Sequence, residues 1–128
     1  MLVKDVMIRD VVTISPFAKL REAMMLMKKH HLKSLVVEQQ NANDAFGLIT
    51  YTDIVKTVIA EGGDIDLLNV YDVCAKPAIS VGENLALKHV ATLMTQQHIK
   101  RLLVLNDNQL LGFVSMDDIM DALLAGID

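Results

Sequence analysis

Gly112-Phe113-Val114-Ser115-Met116-Asp117-Asp118-Ile119 is where the reading of this chain begins. Gly112 to Val114 is apolar and reads as the end of a buried strand. Ser115 stops the strand, and Asp118 stands three residues on, just inside an apolar-periodic run from Ile119 to Leu124 that predicts a helix. A hydroxyl and a carboxylate are thereby set together at a helix N-terminus, beside backbone N–H groups with no partner inside the helix. Sixty-five residues earlier the same arrangement occurs as Gly47-Leu48-Ile49-Thr50-Tyr51-Thr52-Asp53-Ile54.

The duplication extends outward from both copies. Displaced by 67, ten positions between Val3 and Val37 are identical: Val3, Asp5, Val6, Leu20, Leu26, Met27, His31, Lys33, Leu35 and Val37 recur as Val70, Asp72, Val73, Leu87, Leu93, Met94, His98, Lys100, Leu102 and Val104. Beyond Val37 the offset falls to 65. The polar loop Gln39 to Asp44 carries two more residues than its counterpart Asn106-Asp107-Asn108-Gln109. A turn is where a length difference is tolerated.

Each repeat reads in one order. An amphipathic lead (Val3 to Met7, Val70 to Cys74) precedes a β-rich stretch (Val11 to Ile14, Ala78 to Val81). A helix follows, which in the first repeat Ser15 caps and Pro16 opens. Leu20, Ala23, Met24 and Met27 fall on one helical face, as do Leu87, Val90, Ala91 and Met94. A strand (Leu35 to Val37, Leu102 to Leu105) turns back into a second, antiparallel strand (Phe46 to Thr50, Leu111 to Ser115). A closing helix spans about Thr52 to Ala60 and about Asp117 to Ala125.

The division is 1–63 for the first repeat, 64–69 for the link and 70–128 for the second. A unit of about sixty residues has too little core to stand alone. The expected architecture is α+β (α/β): two β-α-β-β-α repeats packed sheet to sheet about a pseudo-twofold axis, with a pair of clefts between them.

Composition narrows the function. The chain has 128 residues, is 52% hydrophobic and carries a net charge of −4. That charge argues against a general nucleic-acid binder, and the absence of Trp argues against base stacking along a single strand. No apolar run reaches the 18 or so residues of a membrane span. Surplus apolar content without a span points to surface buried against a second copy of the chain. The single cysteine, Cys74, forms no intrachain disulfide, which suits a reducing cytoplasm.

A duplicated unit whose last strand ends in Gly-h-h-[Ser/Thr]-x-x-Asp-h, where h is apolar, resembles the cystathionine-β-synthase (CBS) domain. The matching residues are Gly47, Thr50, Asp53 and Ile54, then Gly112, Ser115, Asp118 and Ile119. Val-x-Asp-Val at 3–6 and 70–73 and Leu-x-Val before each loop extend the resemblance over nearly the whole chain. The family's usual Leu-Pro-Val-Val is here Leu35-Val36-Val37 and Leu102-Leu103-Val104, without the proline. The resemblance implies a regulatory module that binds adenine nucleotides (AMP, ADP, ATP) or related adenosyl compounds, requires no other cofactor and joins as a homodimer into a disc. A regulated enzyme or transporter is the implied downstream partner.

A ribose diol is matched by a carboxylate that accepts both hydroxyl hydrogens, a role for Asp53 and Asp118. Phosphates call for N–H donors and positive charge at a helix N-terminus. Thr50 and Ser115 add hydroxyls there, and Lys33, Lys100 and Arg101 add cations, Arg101 where the family often carries a phosphate-contacting Arg. By resemblance the base slot uses Ile8 and Leu32 for one site and Ala75 and Ile99 for the other; Leu48 and Phe113 complete the set. Ser34 stands where the second repeat has Arg101, so the Asp118 site is expected to hold phosphates more tightly.

A plainer reading competes: [Ser/Thr]-x-x-Asp before an apolar run is also a helix capping box that needs no ligand. The alternative function is then a ligand-free structural or interaction module. No metal site is expected, since adjacent His30 and His31 diverge on a helix and His89 lacks a partner at i+4. No catalytic residue is expected either. Cys74 replaces Met7 of the other repeat and reads as packing, and no nucleophile stands beside the proposed phosphates.

Overall fold

The computed structural model describes residues 1–127. The chain forms two compact units. One comprises Val12–Ala78; the other comprises Met1–Val11 together with the residues from Ile79 onward. They are called here the first and second unit.

The first unit contains β1 (Thr13–Ile14), α1 (Leu20–His30), β2 (Ser34–Val37), β3 (Gly47–Thr50) and α2 (Tyr51–Ile54), which continues as a π-helical segment, Val55–Ala60. The second contains β4 (Ser80–Val81), α3 (Leu87–Gln96), β5 (Arg101–Asn106), β6 (Gln109–Ser115) and α4 (Met116–Ala125). Each sheet has three strands, in the orders β1-β2-β3 and β4-β5-β6, with β2 and β5 in the middle. The pairs β1–β2 and β4–β5 are parallel and therefore need a helical crossover, supplied by α1 and α3. The hairpins β2–β3 and β5–β6 are antiparallel, as the sequence predicts.

The middle strands lack the proline of the family pattern, and their amides are put to use. Val36 donates to the carbonyl of Val12 at 3.2 Å and Leu103 to that of Ile79 at 2.9 Å. A proline there would remove one of the bonds that tie the short parallel strand to the sheet.

Each core combines one repeat's sheet with the other repeat's lead. Val3 and Met7 are buried with Val90, Met94, Val104, Val114 and Ile119 in the second unit. Val70 is buried with Leu20, Met27, Leu35 and Ile49 in the first. Backbone bonds fix both placements: Val3 donates to Leu85 at 2.9 Å and Val70 to Ala18 at 2.8 Å. The stretch 64–69 is also tied down, with Leu20 donating to Leu68 and Arg21 to Ile65.

Four local expectations are corrected. Helix α1 begins at Leu20, with Lys19 as N-cap, so Ser15 does not cap it and Pro16 does not open it. Ser15 Oγ instead accepts the Phe17 amide, and the carbonyls of Pro16 and Ala18 are engaged by Tyr71 and Val70. The backbone of that turn is committed to pairing with the lead and is not free to wind. The first closing helix starts at Tyr51 and turns π-helical from Val55. Val55, Thr57, Val58 and Ile59 are all β-branched, which crowds a regular α-helix. The β-rich stretches shrink to two-residue edge strands, β1 and β4. The leads wind as 3-10 turns, Val3–Asp5 and Val70–Asp72, rather than as amphipathic elements. Asp5 and Asp72, identical in the two repeats, each close a turn by accepting the amide three residues back, at 2.8 and 2.9 Å.

Candidate functional site

In the second unit β6 runs out at Ser115 and α4 begins at the next residue. Ser115 and Asp118 form a reciprocal cap. Asp118 N donates to Ser115 Oγ at 3.1 Å, while Asp118 Oδ2 accepts from Ser115 N at 2.9 Å and from Ser115 Oγ at 2.8 Å. The first unit repeats it with Thr50 and Asp53 at 3.3, 3.0 and 3.0 Å. Both devices are therefore capping boxes in fact, and the plainer reading of the motif holds at the level of local structure.

The cap limits what remains for a ligand. Ser115 and Thr50 spend their hydroxyl hydrogens on a carboxylate, so neither is a donor to phosphate while the cap is closed. The first helical amides are also claimed: Met116 donates to Lys100 at 2.8 Å and Tyr51 to Lys33 at 2.9 Å. Each cap engages its carboxylate through Oδ2, which leaves Oδ1 outside the cap. The helix N-terminus thus offers fewer groups to a ligand than its position in the sequence suggests. Both carboxylates are half-buried.

Sheet register gathers further residues around each cap. Arg101 is paired directly with Ser115 across β5–β6, and Ser34 is paired with Thr50 across β2–β3. Lys100 and Lys33 precede them, both exposed. Ile8 bridges to Phe113, two residues before Ser115, and Ala75 bridges to Leu48, two residues before Thr50. The second unit therefore holds Ile8, Ile99, Lys100, Arg101, Phe113, Ser115 and Asp118, so Ile99 lies in the unit of Ile8 and Leu32 in that of Ala75, not in the pairs that the resemblance implies. The first assembles Leu32, Lys33, Leu48, Thr50, Asp53 and Ala75. Ile99 and Leu32 close the helix-to-strand turns, donating to Met94 at 3.0 Å and to Met27 at 2.9 Å.

The second set carries Lys100 and Arg101 where the first carries Lys33 and Ser34. One cation was not singled out in the sequence. Lys76, next to Ala75, is ion-paired with Asp44 in the longer loop of the first hairpin. Its counterpart 67 residues earlier is Arg9, so a basic residue after each slot residue was the signal available. The ammonium of Lys76 and the Gln40 amide hold the Asp44 carboxyl below the usual carboxylate range. Burial pushes the Cys74 thiol up, which keeps it protonated and unreactive at neutral pH. Among the described residues no group of His, Cys, Asp and Glu is placed to hold a metal ion, and no helix is long and apolar enough to cross a membrane.

A twice-repeated β-α-β-β-α unit closing on a capped Gly-h-h-[Ser/Thr]-x-x-Asp turn defines a tandem module of two like repeats. The chain belongs to the CBS-domain family: the CBS domain profile matches residues 3–60 and again 70–125. It is 33% identical to the CBS domain-containing protein YhcV of Bacillus subtilis, over 91% of this chain and 81% of that one. It is also 33% identical to the uncharacterized protein MK0525 of Methanopyrus kandleri, where the match covers 92% of this chain but only 60% of the relative. Among solved structures it superposes with TM-score 0.90 on a hexameric CBS-CP12 protein from bloom-forming cyanobacteria, at 38% identity, over 94% of this chain and 66% of that chain. At 23% identity, and so as a likeness of fold alone, it matches the CBS domain pair of MJ0100, solved with 5′-methylthioadenosine and S-adenosylmethionine (TM-score 0.85; 99% and 98% covered).

Proposed function

We propose that the chain is a sensor of adenine nucleotides or related adenosyl compounds. In this reading Asp118 and Asp53 receive ribose hydroxyls on their open carboxylate oxygens. Ile8 with Phe113, and Ala75 with Leu48, supply apolar surface for the base, with Ile99 and Leu32 contributing at the neighbouring turns. Arg101 and Lys100 in one unit, and Lys33 in the other, meet the phosphates. The observation that carries the proposal is the register of Arg101 opposite Ser115, beside a capped carboxylate with an oxygen to spare. An arginine in register with the cap across one strand gap suits a charged nucleotide better than a neutral nucleoside. MJ0100 supports the reading only in that the same fold holds adenosyl compounds in that protein.

In this reading the cap carboxylates serve to hold a ligand, and the role is regulation rather than turnover, in a cytoplasmic setting. Self-association carries the signal onward. Val55 and Ile59 on the first closing helix, and Met120 and Leu123 on α4, are 53, 76, 51 and 63% exposed, an apolar load that favours cover by a second copy. Ile59→Glu and Leu123→Glu are expected to shift the sedimentation of the chain to that of a monomer. An unchanged oligomer would sink that role for these faces.

Thermal unfolding with AMP, ADP, ATP, NAD and S-adenosylmethionine tests the sensor. A ligand at about 100 times its Kd stabilises by about 2.7 kcal/mol, and Asp53→Asn with Asp118→Asn together should abolish the gain. A second reading, a ligand-free interaction module, is favoured by the fully formed caps; silence across the panel selects it.

A further inference from the structure

Gly112 and Gly47 open the two Gly-h-h-[Ser/Thr] runs, and each is pressed by a lead. A Cβ on Gly112 would lie 2.3 Å from the carbonyl oxygen of Ile8, 3.1 Å from its carbonyl carbon and 3.4 Å from Cα of Arg9. All three are backbone atoms, so no rotamer relieves the clash. At Gly47 the nearest backbone atom is the carbonyl oxygen of Ala75, at 3.1 Å. The N-terminal lead is therefore seated on Gly112 far more closely than the second lead is on Gly47. Two backbone bonds complete the seat: Ile8 N to the Phe113 carbonyl at 2.9 Å, and Phe113 N to the Ile8 carbonyl at 3.0 Å. From there the lead runs back into the core, where Val3 and Met7 are buried with Val114 and Ile119. Those two residues directly flank Ser115 and Asp118.

We propose that Gly112 is a positioning residue that holds Ile8 beside the Ser115–Asp118 cap, and that this seat couples occupancy of the site to docking of residues 1–8. The coupling rests on the nucleotide reading given above. A ligand that touches both Ile8 and Asp118 binds the docked lead better than the released one, so it shifts the lead toward the docked state. By linkage, loosening the lead weakens the ligand by the same factor.

Amide hydrogen exchange on the whole chain tests this, in wild type, Gly112→Ala and Gly47→Ala, each with and without AMP, ATP or S-adenosylmethionine. Without ligand, Gly112→Ala is expected to speed exchange at Val3, Met7 and Ile8 at least tenfold, with a smaller effect of Gly47→Ala at Cys74 and Ala75. Lead amides that stay protected in Gly112→Ala overturn the seat. In wild type a bound ligand should slow the same three amides. A ligand that binds by calorimetry, and is lost in Asp118→Asn, yet leaves them unchanged, overturns the coupling and spares the nucleotide reading. If none of the three ligands binds, the coupling falls together with that reading. Should Gly112→Ala unfold the second unit, Asp5→Ala opens only the exposed turn at Leu2–Asp5. It is expected to weaken the ligand severalfold while speeding lead exchange; faster exchange at unchanged affinity overturns the coupling.

Discussion

Ser115 and Asp118 carry two roles, and single substitutions separate them. The cap satisfies one amide of α4 and orients a half-buried carboxylate. Ser115→Ala removes the acceptor for Asp118 N and is expected to cost about 1 kcal/mol in chemical denaturation, with Thr50→Ala similar in the other unit. A loss below the measurement error in both would show that the caps do not stabilise the closing helices, and that their residues are held for another reason. Two histidines are conformational outliers of the same kind. His31 ends α1 at φ 54° and ψ 46°, and His98 follows α3 at φ 54°. The left-handed region strains a side chain that has a Cβ, by roughly 1–2 kcal/mol, part of which glycine returns through its larger unfolded-state entropy. His31→Gly and His98→Gly should each raise stability, on the order of 0.5–1 kcal/mol. Destabilisation by either would mean that the imidazole makes a contact worth more than the strain. The identity of the two histidines was legible in the repeat. Their backbone conformation was not, because glycine or asparagine is the usual mark of that position.

Among elements, the two hairpins differ most. Asp107 and Asn108, at φ 50° and 60°, close β5–β6 in a tight two-residue turn, whereas the first hairpin needs a long loop. The length difference was plain in the sequence, but its consequence was not. The longer loop carries Asp44 to Lys76 across 32 residues, a tertiary contact that no local pattern announces. Because the folded-state pKa of Asp44 lies below its unfolded value, the ion pair contributes stability at pH above the usual carboxylate range. That contribution is lost as pH falls through the lowered value. The Gln40 amide, which donates to Asp44 Oδ2 at 2.8 Å, reports it. Its NMR shift should titrate with a midpoint below about 3.9, the ordinary Asp value, and a midpoint at or above that value would remove Lys76 from the account. The sheets and the α1 and α3 faces followed from apolar spacing, and the paired caps from an eight-residue motif. The π-helical segment after α2 did not, since the same Val and Ile residues satisfy helical spacing while their branched side chains resist a regular helix.

At the scale of the whole molecule, the sequence repeats and the compact units are different partitions of one chain. Repeats are read from letters, and the break between them falls near Gly62–Gly63. Units are defined by packing, which hands residues 1–11 to the second repeat's sheet and residues 64–78 to the first's. Nothing in the spacing of Val3 or Val70 says which sheet covers it, because either core would bury a valine equally well. The exchange means that a cavity made in one repeat's lead is felt in the other repeat's strands. Both valines are fully buried, and truncation leaves a void that the surroundings fill only in part, at a cost of about 1–3 kcal/mol. Val3→Ala is therefore expected to speed hydrogen exchange first in β5 and β6, at amides such as Leu103 and Phe113, and Val70→Ala first in β2 and β3. The hydrogen bonds from Val3 to Leu85 and from Val70 to Ala18 predict the same crossed pattern. If Val3→Ala instead loosened β2 and β3 while leaving β5 and β6 protected, the lead would belong to its own repeat, and the seat on Gly112 would have to be abandoned with it.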